Sequence, residues 1–393
     1  MNNQYTPTGF LRDVAYLAVT AFGGPAAHVA MMLDFLVEKR KYLTAEELIE
    51  LNALCQLLPG PTSTQTIIST GYKLGGVKIA FLTLMIWAFP AVVLMSALSF
   101  VLSVFAGNEY LLKIMTVLKP MAVAFVLVAA WKLGSKVVKG KLSLALLMIS
   151  TALALLLSSP FVFPLILIAA GTITSLVNRQ ENQSRVKVVI KPPWKFLIVF
   201  LGVFAGAALV AFLTNHEAAV LFENCYRFGS LIFGGGQVLI PFMYEHFVDF
   251  TNRMTSEEFL AGYGIVQALP GPVFSFCAFA GGISLNDGGL GLQLLGCFLG
   301  ALGIFLPGTL LIFFVFPIWE SLKKISAVKN ALVGINAAAG GLVVAAVFML
   351  GGAIGFSWLN LVVLLVSVAI LLFTKLPSPF LVILGIIAGV LVG

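Results

Sequence analysis

The sequence predicts an all-α, polytopic integral membrane protein built from two inverted-topology repeats. Three observations carry this. Of 393 residues, 60% are hydrophobic and 10% charged, with a mean hydropathy of +1.06, whereas a soluble globular chain carries about 25% charged residues. Apolar runs such as 142–157 and 161–177 hold no charge and approach span length, and the period-2 alternation of a membrane β-barrel is absent. Finally, one passage occurs twice: "LTAEELIELNALCQLLPGP" (43–61) and "MTSEEFLAGYGIVQALPGP" (254–272).

In the repeat, Thr44, Glu46, Glu47, Gln56, Leu58, Pro59, Gly60 and Pro61 recur as Thr255, Glu257, Glu258, Gln267, Leu269, Pro270, Gly271 and Pro272. The offset is 271 − 60 = 211 residues, and "FGGP" (22–25) and "FGGG" (233–236) share it. Two glycine breaks and two proline breaks in one register mark a duplicated unit. The expected division is a first repeat over 1–177, a basic cytoplasmic linker over 178–195, an extra transmembrane helix over 196–214, and a second repeat over 215–393.

The extra helix would turn the second repeat upside down, and the loop charges agree. Lys132, Lys136, Lys139 and Lys141 share one first-half loop, while the counterpart at 351–360 has no charge. Conversely, 319–329 is basic and its counterpart at 106–113 nearly neutral. Positive loops face the cytoplasm, so the bias alternates as an inverted repeat requires. Inverted repeats with a site at their interface are a recurring transporter plan.

Each half opens with two interrupted helical segments. In the first half these are about 9–40, broken at Gly23, Gly24 and Pro25, and about 44–73, broken at Pro59, Gly60 and Pro61. Pieces of about 12–16 residues cover roughly 18–24 Å, less than the roughly 30 Å hydrocarbon core. Two arrangements fit: kinked spans, giving 13 crossings, or re-entrant hairpins, giving nine full spans plus four hairpins. The cluster Lys39–Arg40–Lys41 lies inside only with hairpins, which the positive-inside bias favours. Broken backbone at membrane depth is tolerated where it is buried in protein or lines a wet cavity.

The breaks define the candidate substrate-binding residues. A helix start exposes unpaired N–H groups and a positive dipole end, which together hold anions. Thr62, Ser63, Thr64 and Gln65 follow Pro61, and His28 lies one turn beyond Pro25. The second half offers Gly234, Gly235, Gly236 and Gln237, then Ser275 beyond Pro272. Gln56 and Gln267 precede their prolines by three residues. Many donors with few fixed charges suit a small oxyanion; for any one of these polar residues the plainer role is local capping.

Charges in apolar stretches are few. Arg227 either faces an anion or pairs with Glu223 at i,i+4. Arg12 and Asp13 read as interfacial. Thr44–Glu47 and Thr255–Glu258 have capping-box spacing, with gating or proton coupling as the alternative. His216 and His246 read as solvated residues near external ends. Cys55, Cys225, Cys277 and Cys297 have no metal or redox spacing and read as packing residues. No metal, cofactor or nucleic acid is expected: the basic residues sit in short loops, and GxxxxGK[ST], GxSxG and HExxH do not occur. The N-terminus lacks a basic stretch before its first apolar run, so no cleaved signal peptide is expected.

"FGGP" (22–25), "QLLPGPTSTQ" (56–65), "FGGGQVLIP" (233–241) and "QALPGP" (267–272) together resemble the chromate ion transporter family in its two-domain long form. The resemblance covers almost the whole chain. It implies export of chromate from the bacterial cytoplasm across the inner membrane, with sulfate as a close analogue and without an ATPase. A sulfate or other oxyanion transporter, or an anion channel of the same architecture, is the alternative. Lipid is the implied surrounding, and a homodimer is left open. Between the halves, Pro25 becomes Gly236 and Thr62–Ser63 become Val273–Phe274, so the first half is expected to hold most of the grip.

Overall fold

The structure, a computed structural model, describes residues 6–105, 107–157, 162–178, 192–233, 236–322 and 326–392. Among these it is helical, without strands. Most of the linker therefore lies outside the described residues, as do Gly234 and Gly235.

The chain begins with α1 (Pro7–Thr20), capped by the Thr6 side chain on Gly9 N–H at 3.2 Å. After a break, α2 (Gly24–Met32) continues into a π-helical stretch, Leu33–Lys39. These two arms run antiparallel. Tyr16 stacks on Phe35 with centroids 5.0 Å apart, Phe10 meets Tyr42 at 5.5 Å, and the buried Asp13 accepts from Arg40 and Tyr42 at 2.7 and 2.6 Å. The break is thus the tip of a hairpin, and both ends return to one side.

The next pair behaves alike. Helix α3 (Ala45–Leu57) starts with the Thr44–Glu47 capping box. It folds against the start of α4 (Thr62–Val104) through Glu47–Lys73, Asn52–Thr66 and Cys55–Ser69. Within α4, Gly75 and Gly76 leave helical geometry, and the chain reverses again. Gly71 packs against Thr83, and Trp87 Nε1 donates to Thr64 at 3.2 Å. Of α4, the arm beyond Gly76 is the longer and the more apolar.

The first half continues with α5 (Glu109–Val137), α6 (Lys141–Leu156) and α7 (Val162–Val177). Helix α8 (Trp194–Thr214) follows, almost wholly exposed. The same series of elements then recurs. Helices α9 (Glu217–Leu231) and α10 (Gly236–Tyr244) again end in a π-helical stretch, Glu245–Phe250. Helix α11 (Ser256–Val266) carries the second capping box, and a tight 3-10 turn, Val273–Ser275, leads into α12 (Phe276–Ser284). Helix α13 (Gly289–Val315) folds back on α12, with Gly281 against Gly296 and Gly300 against Cys277. The short α14 (Trp319–Leu322), α15 (Ser326–Ile354), α16 (Trp358–Phe373) and α17 (Ser378–Val392) complete the chain.

Among the described residues, five segments are long and apolar enough to cross a membrane: Thr62–Val104, Glu109–Val137, Trp194–Thr214, Asn286–Ile318 and Lys329–Ile354. The other four of the nine full spans expected correspond to shorter apolar helices. Helices α6, α7, α16 and α17 have only 15 or 16 residues, or roughly 22–24 Å of rise. Their apolar runs gave span-like hydropathy without span-like length.

One large core joins residues of both halves, with α15 packed on α5, α6, α7 and α10. The hairpin α1–α2, with α3 and Trp87, forms a second, smaller core. All four cysteines are buried and free.

Candidate functional site

The four breaks converge in crossed pairs. Gly60 N–H donates to the Ile232 carbonyl at 2.8 Å, and Gly271 N–H donates to the Ala21 carbonyl at 2.9 Å. Ala21 and Ile232 are the C-caps of α1 and α9 and are themselves 232 − 21 = 211 residues apart. Each half's Pro-Gly-Pro tip therefore closes the open carbonyl end of the other half's first helix. The last carbonyls of a helix have no partner within it, and these bonds supply one to each end. Gly60 and Gly271 have φ of 116° and 95°, a region closed to most side chains.

Around the first-half tip the polar side chains are buried. Thr62, Ser63, Thr64 and Gln65 are each 8% exposed or less. Gln65 Nε2 donates to the Pro59 carbonyl at 2.7 Å and so clamps the tip. Thr64 accepts from Trp87, and Ser63 Oγ lies 3.1 Å from His28 Nδ1. His28 also stands edge-on to Trp87, with centroids 5.3 Å apart. The two first-half breaks are thereby joined: His28 comes from the arm after Gly23, Gly24 and Pro25, and the hydroxyls come from the arm after Pro61. His28 Nε2 and Gln65 Oε1 are buried without a hydrogen-bond partner among the described residues. No side chain caps the start of α4, so its first-turn N–H groups retain their capacity to hold an anion.

The second-half tip is built differently. Val273 and Phe274 replace the hydroxyls, and Phe276 stands where the register places Gln65. Ser275 matches Thr64; it is fully buried and its hydroxyl has no partner among the described residues. The tip is wound as a 3-10 turn with Ser275 N–H bonded to the Pro272 carbonyl.

Other expected residues divide. Gln56 is not in the buried group: it lies on the exposed face of α3 with Glu46, Ile49 and Ala53, because the α3 register turns that face away from α4. Gln267 and Pro270 are half-buried. Gly236 opens α10, and the side chain of Gln237 lies outside the described residues. Arg227 pairs with Glu223 at 3.1 Å and bonds Asn224, the i,i+4 arrangement. Both capping boxes form. Lys73 and the Thr44 N–H hold the Glu47 carboxyl below its ordinary range, and Lys119 does the same for Glu257.

His246 departs from expectation. It is buried, not solvated, because the π-helical stretch after α10 packs against Phe228 of α9. Trp87 and Glu245 were not legible as site residues either. The register could have flagged the second: Glu245 and His246 replace Asp34 and Phe35.

The chromate transporter family matches residues 9–175 and 219–391. The chain belongs to this family. It is 25% identical to a chromate transport protein of Cupriavidus metallidurans over 96% of this chain and 92% of that one. A probable chromate transport protein of Synechococcus elongatus is 24% identical over 95% and 93%. An uncharacterized transporter of Methanocaldococcus jannaschii is 26% identical over 96% and 92%. No solved structure matches the chain. With its long apolar helices, this family member is a multi-pass membrane protein.

Proposed function

We propose that the chain is a secondary transporter that exports chromate across the bacterial cytoplasmic membrane, with sulfate as an alternative cargo. Its relatives named as chromate transport proteins motivate the cargo. The observation that carries the mechanism is the crossed closure of the four tips, Gly60 on Ile232 and Gly271 on Ala21. Beside it, the His28–Ser63 and Trp87–Thr64 contacts hold the start of α4, with Thr62, Ser63 and Thr64, against His28. The oxyanion would sit against those N–H groups and hydroxyls, where charge-assisted hydrogen bonds replace its hydration.

In this reading residues 1–177 and 215–393 are inverted repeats, and the bonds between tips are the joint at which they rock. Export needs no ATP. One charge moved through 100 mV is worth about 2.3 kcal/mol, so a dianion leaving a negative interior gains roughly 4.6 kcal/mol per 100 mV.

Purified protein in liposomes, loaded with radiolabelled chromate or sulfate under an imposed potential, tests this. Potential-driven chromate efflux above that of empty liposomes is the expected result. No efflux of either anion would overturn it, and efflux of sulfate alone would reassign the cargo.

A further inference from the structure

Glu245 has an environment that oxyanion binding does not explain. It is 6% exposed, and neither carboxylate oxygen meets a donor among the described residues. Its repeat counterpart Asp34 is exposed and paired with Lys39 at 2.7 Å. The surroundings have changed with it. In the first half Tyr16 stacks on Phe35; at the matching positions stand Arg227 and His246, within electrostatic reach of each other. Both sites lie on a π-helical stretch, which often marks a functional position.

The cations nearby are already engaged. On α9, Arg227 holds Glu223 and Asn224. Arg253 pairs with Glu217. From α11 and α5, Glu257 and Lys119 hold each other, and the Tyr244 hydroxyl bonds Ser256. Helix α7 has no titratable residue, and α15, packed on α10, has none beyond Lys329. Asp249, one turn after Glu245, adds charge of the same sign. A carboxylate buried this way is far costlier than a carboxylic acid, so burial, with Asp249 nearby, favours the protonated form of Glu245 in this conformation.

The residue next to Glu245 in the chain, His246, borders a cavity of about 70 Å³ with Asn224 and Ser284, whose mouth carries the exposed pair Glu217–Arg253. We propose that Glu245 is a proton-binding site of the transport cycle, loaded and unloaded past His246 through this cavity. On unloading, the carboxyl O–H breaks, the carboxylate remains on Glu245, and the proton passes to the imidazole and then to water. The proposal rests on the transport reading above.

The test is chromate accumulation in liposomes with the potential clamped and a pH gradient imposed. For one proton coupled per anion, steady-state accumulation should shift about tenfold per pH unit, since 1.4 kcal/mol is tenfold in a ratio. Glu245→Gln should abolish that shift while chromate–chromate exchange continues, and Glu245→Asp should retain it. Independently, the protein without substrate should show the infrared band of a protonated carboxyl, lost in Glu245→Gln and displaced in Glu245→Asp. A wild-type response in Glu245→Gln, or an infrared band unchanged by it, would overturn the proposal. So would wild-type flux indifferent to the pH gradient, which leaves the transport reading standing. Wild-type protein with no flux at all removes both.

Discussion

The first-half hairpins and the second-half hairpins share a register but not a chemistry. At the first tip, hydroxyls, an imidazole and an amide are buried beside an uncapped α-helix start. At the second, the same positions hold Val273, Phe274 and Phe276, and the start is wound into a 3-10 turn. The base of the hairpins shows the reverse. Phe35 and Tyr16 stack in the first half, whereas the second buries His246 within reach of Arg227, with the buried Glu245 beside it in the chain. The two copies of the repeated sequence thus differ in which polar groups they bury: hydroxyls and His28 at the first tip, His246 and Glu245 at the second base. The backbone bonds between tips, Gly60 to Ile232 and Gly271 to Ala21, remain equivalent.

Removing the polar tip should have the largest effect. Replacing Thr62, Ser63 and Thr64 together by valine removes three hydroxyl donors, and hydrogen bonds to a charged partner contribute about 1.5–3 kcal/mol each. Chromate flux in liposomes should fall at least about a hundredfold, with membrane levels unchanged. Ser275→Ala, the matching change in the second half, should leave flux within about twofold, in keeping with a hydroxyl worth under about 0.5 kcal/mol there. Equal losses in the two variants would erase the distinction between tips.

The shared feature predicts a smaller, more even effect. Alanine at Gly60 or Gly271 must adopt a left-handed φ, at a cost of roughly 1–2 kcal/mol. At Gly271 the new Cβ would lie 3.1 Å from the Ala91 Cβ, a rigid neighbour. At Gly60 it would lie 2.9 Å from Gln65 Nε2, which can swing away but then releases the Pro59 carbonyl. Thermal unfolding in detergent should therefore show comparable destabilisation. Flux should fall further in Gly60→Ala than stability alone explains, and losses that track stability in both would show that Gln65 merely packs.

Much of this was legible in the sequence because the repeat is local. Pro-Gly-Pro, the glycine pairs and both capping boxes act within a few residues, so each break and each helix start could be placed. Loop charges favoured hairpins, and the Asp13–Arg40 and Glu47–Lys73 contacts agree. What could not be read was which tip meets which: the Gly60–Ile232 bond spans the two halves, and nothing near either residue encodes it. Trp87 escaped notice because its part depends on how the arm beyond Gly75–Gly76 folds back on the start of α4, a contact 23 residues apart in the chain. Burial of His246 follows from packing against Phe228, although its polarity suggested solvent.

The smallest effect concerns how each half ties its third helix. In the first half one residue has two roles: Glu47 caps α3 through the Thr44 N–H and pairs with Lys73 across the hairpin. In the second half the roles are split. Glu258 caps α11, while Glu257 pairs with Lys119 of α5. Glutamine at position 47 can still close the capping box but cannot form the ion pair. Because that pair is more than a third exposed, the charge should contribute only about 0.5 kcal/mol. Glu47→Ala loses the cap as well and should cost about 1–1.5 kcal/mol. Since the Glu47 carboxyl is held below its ordinary value of 4.5, its charge stabilises the fold above about that pH and ceases to as pH falls through the lowered value. Wild-type and Glu47→Gln melting temperatures should therefore differ near neutrality and converge in acid or at high salt. In the second half, Glu258→Gln should leave the melting temperature near wild type at neutral pH, because there the ion pair belongs to Glu257. A pH-dependent loss in Glu258→Gln equal to that in Glu47→Gln would show that the two boxes are tied alike after all.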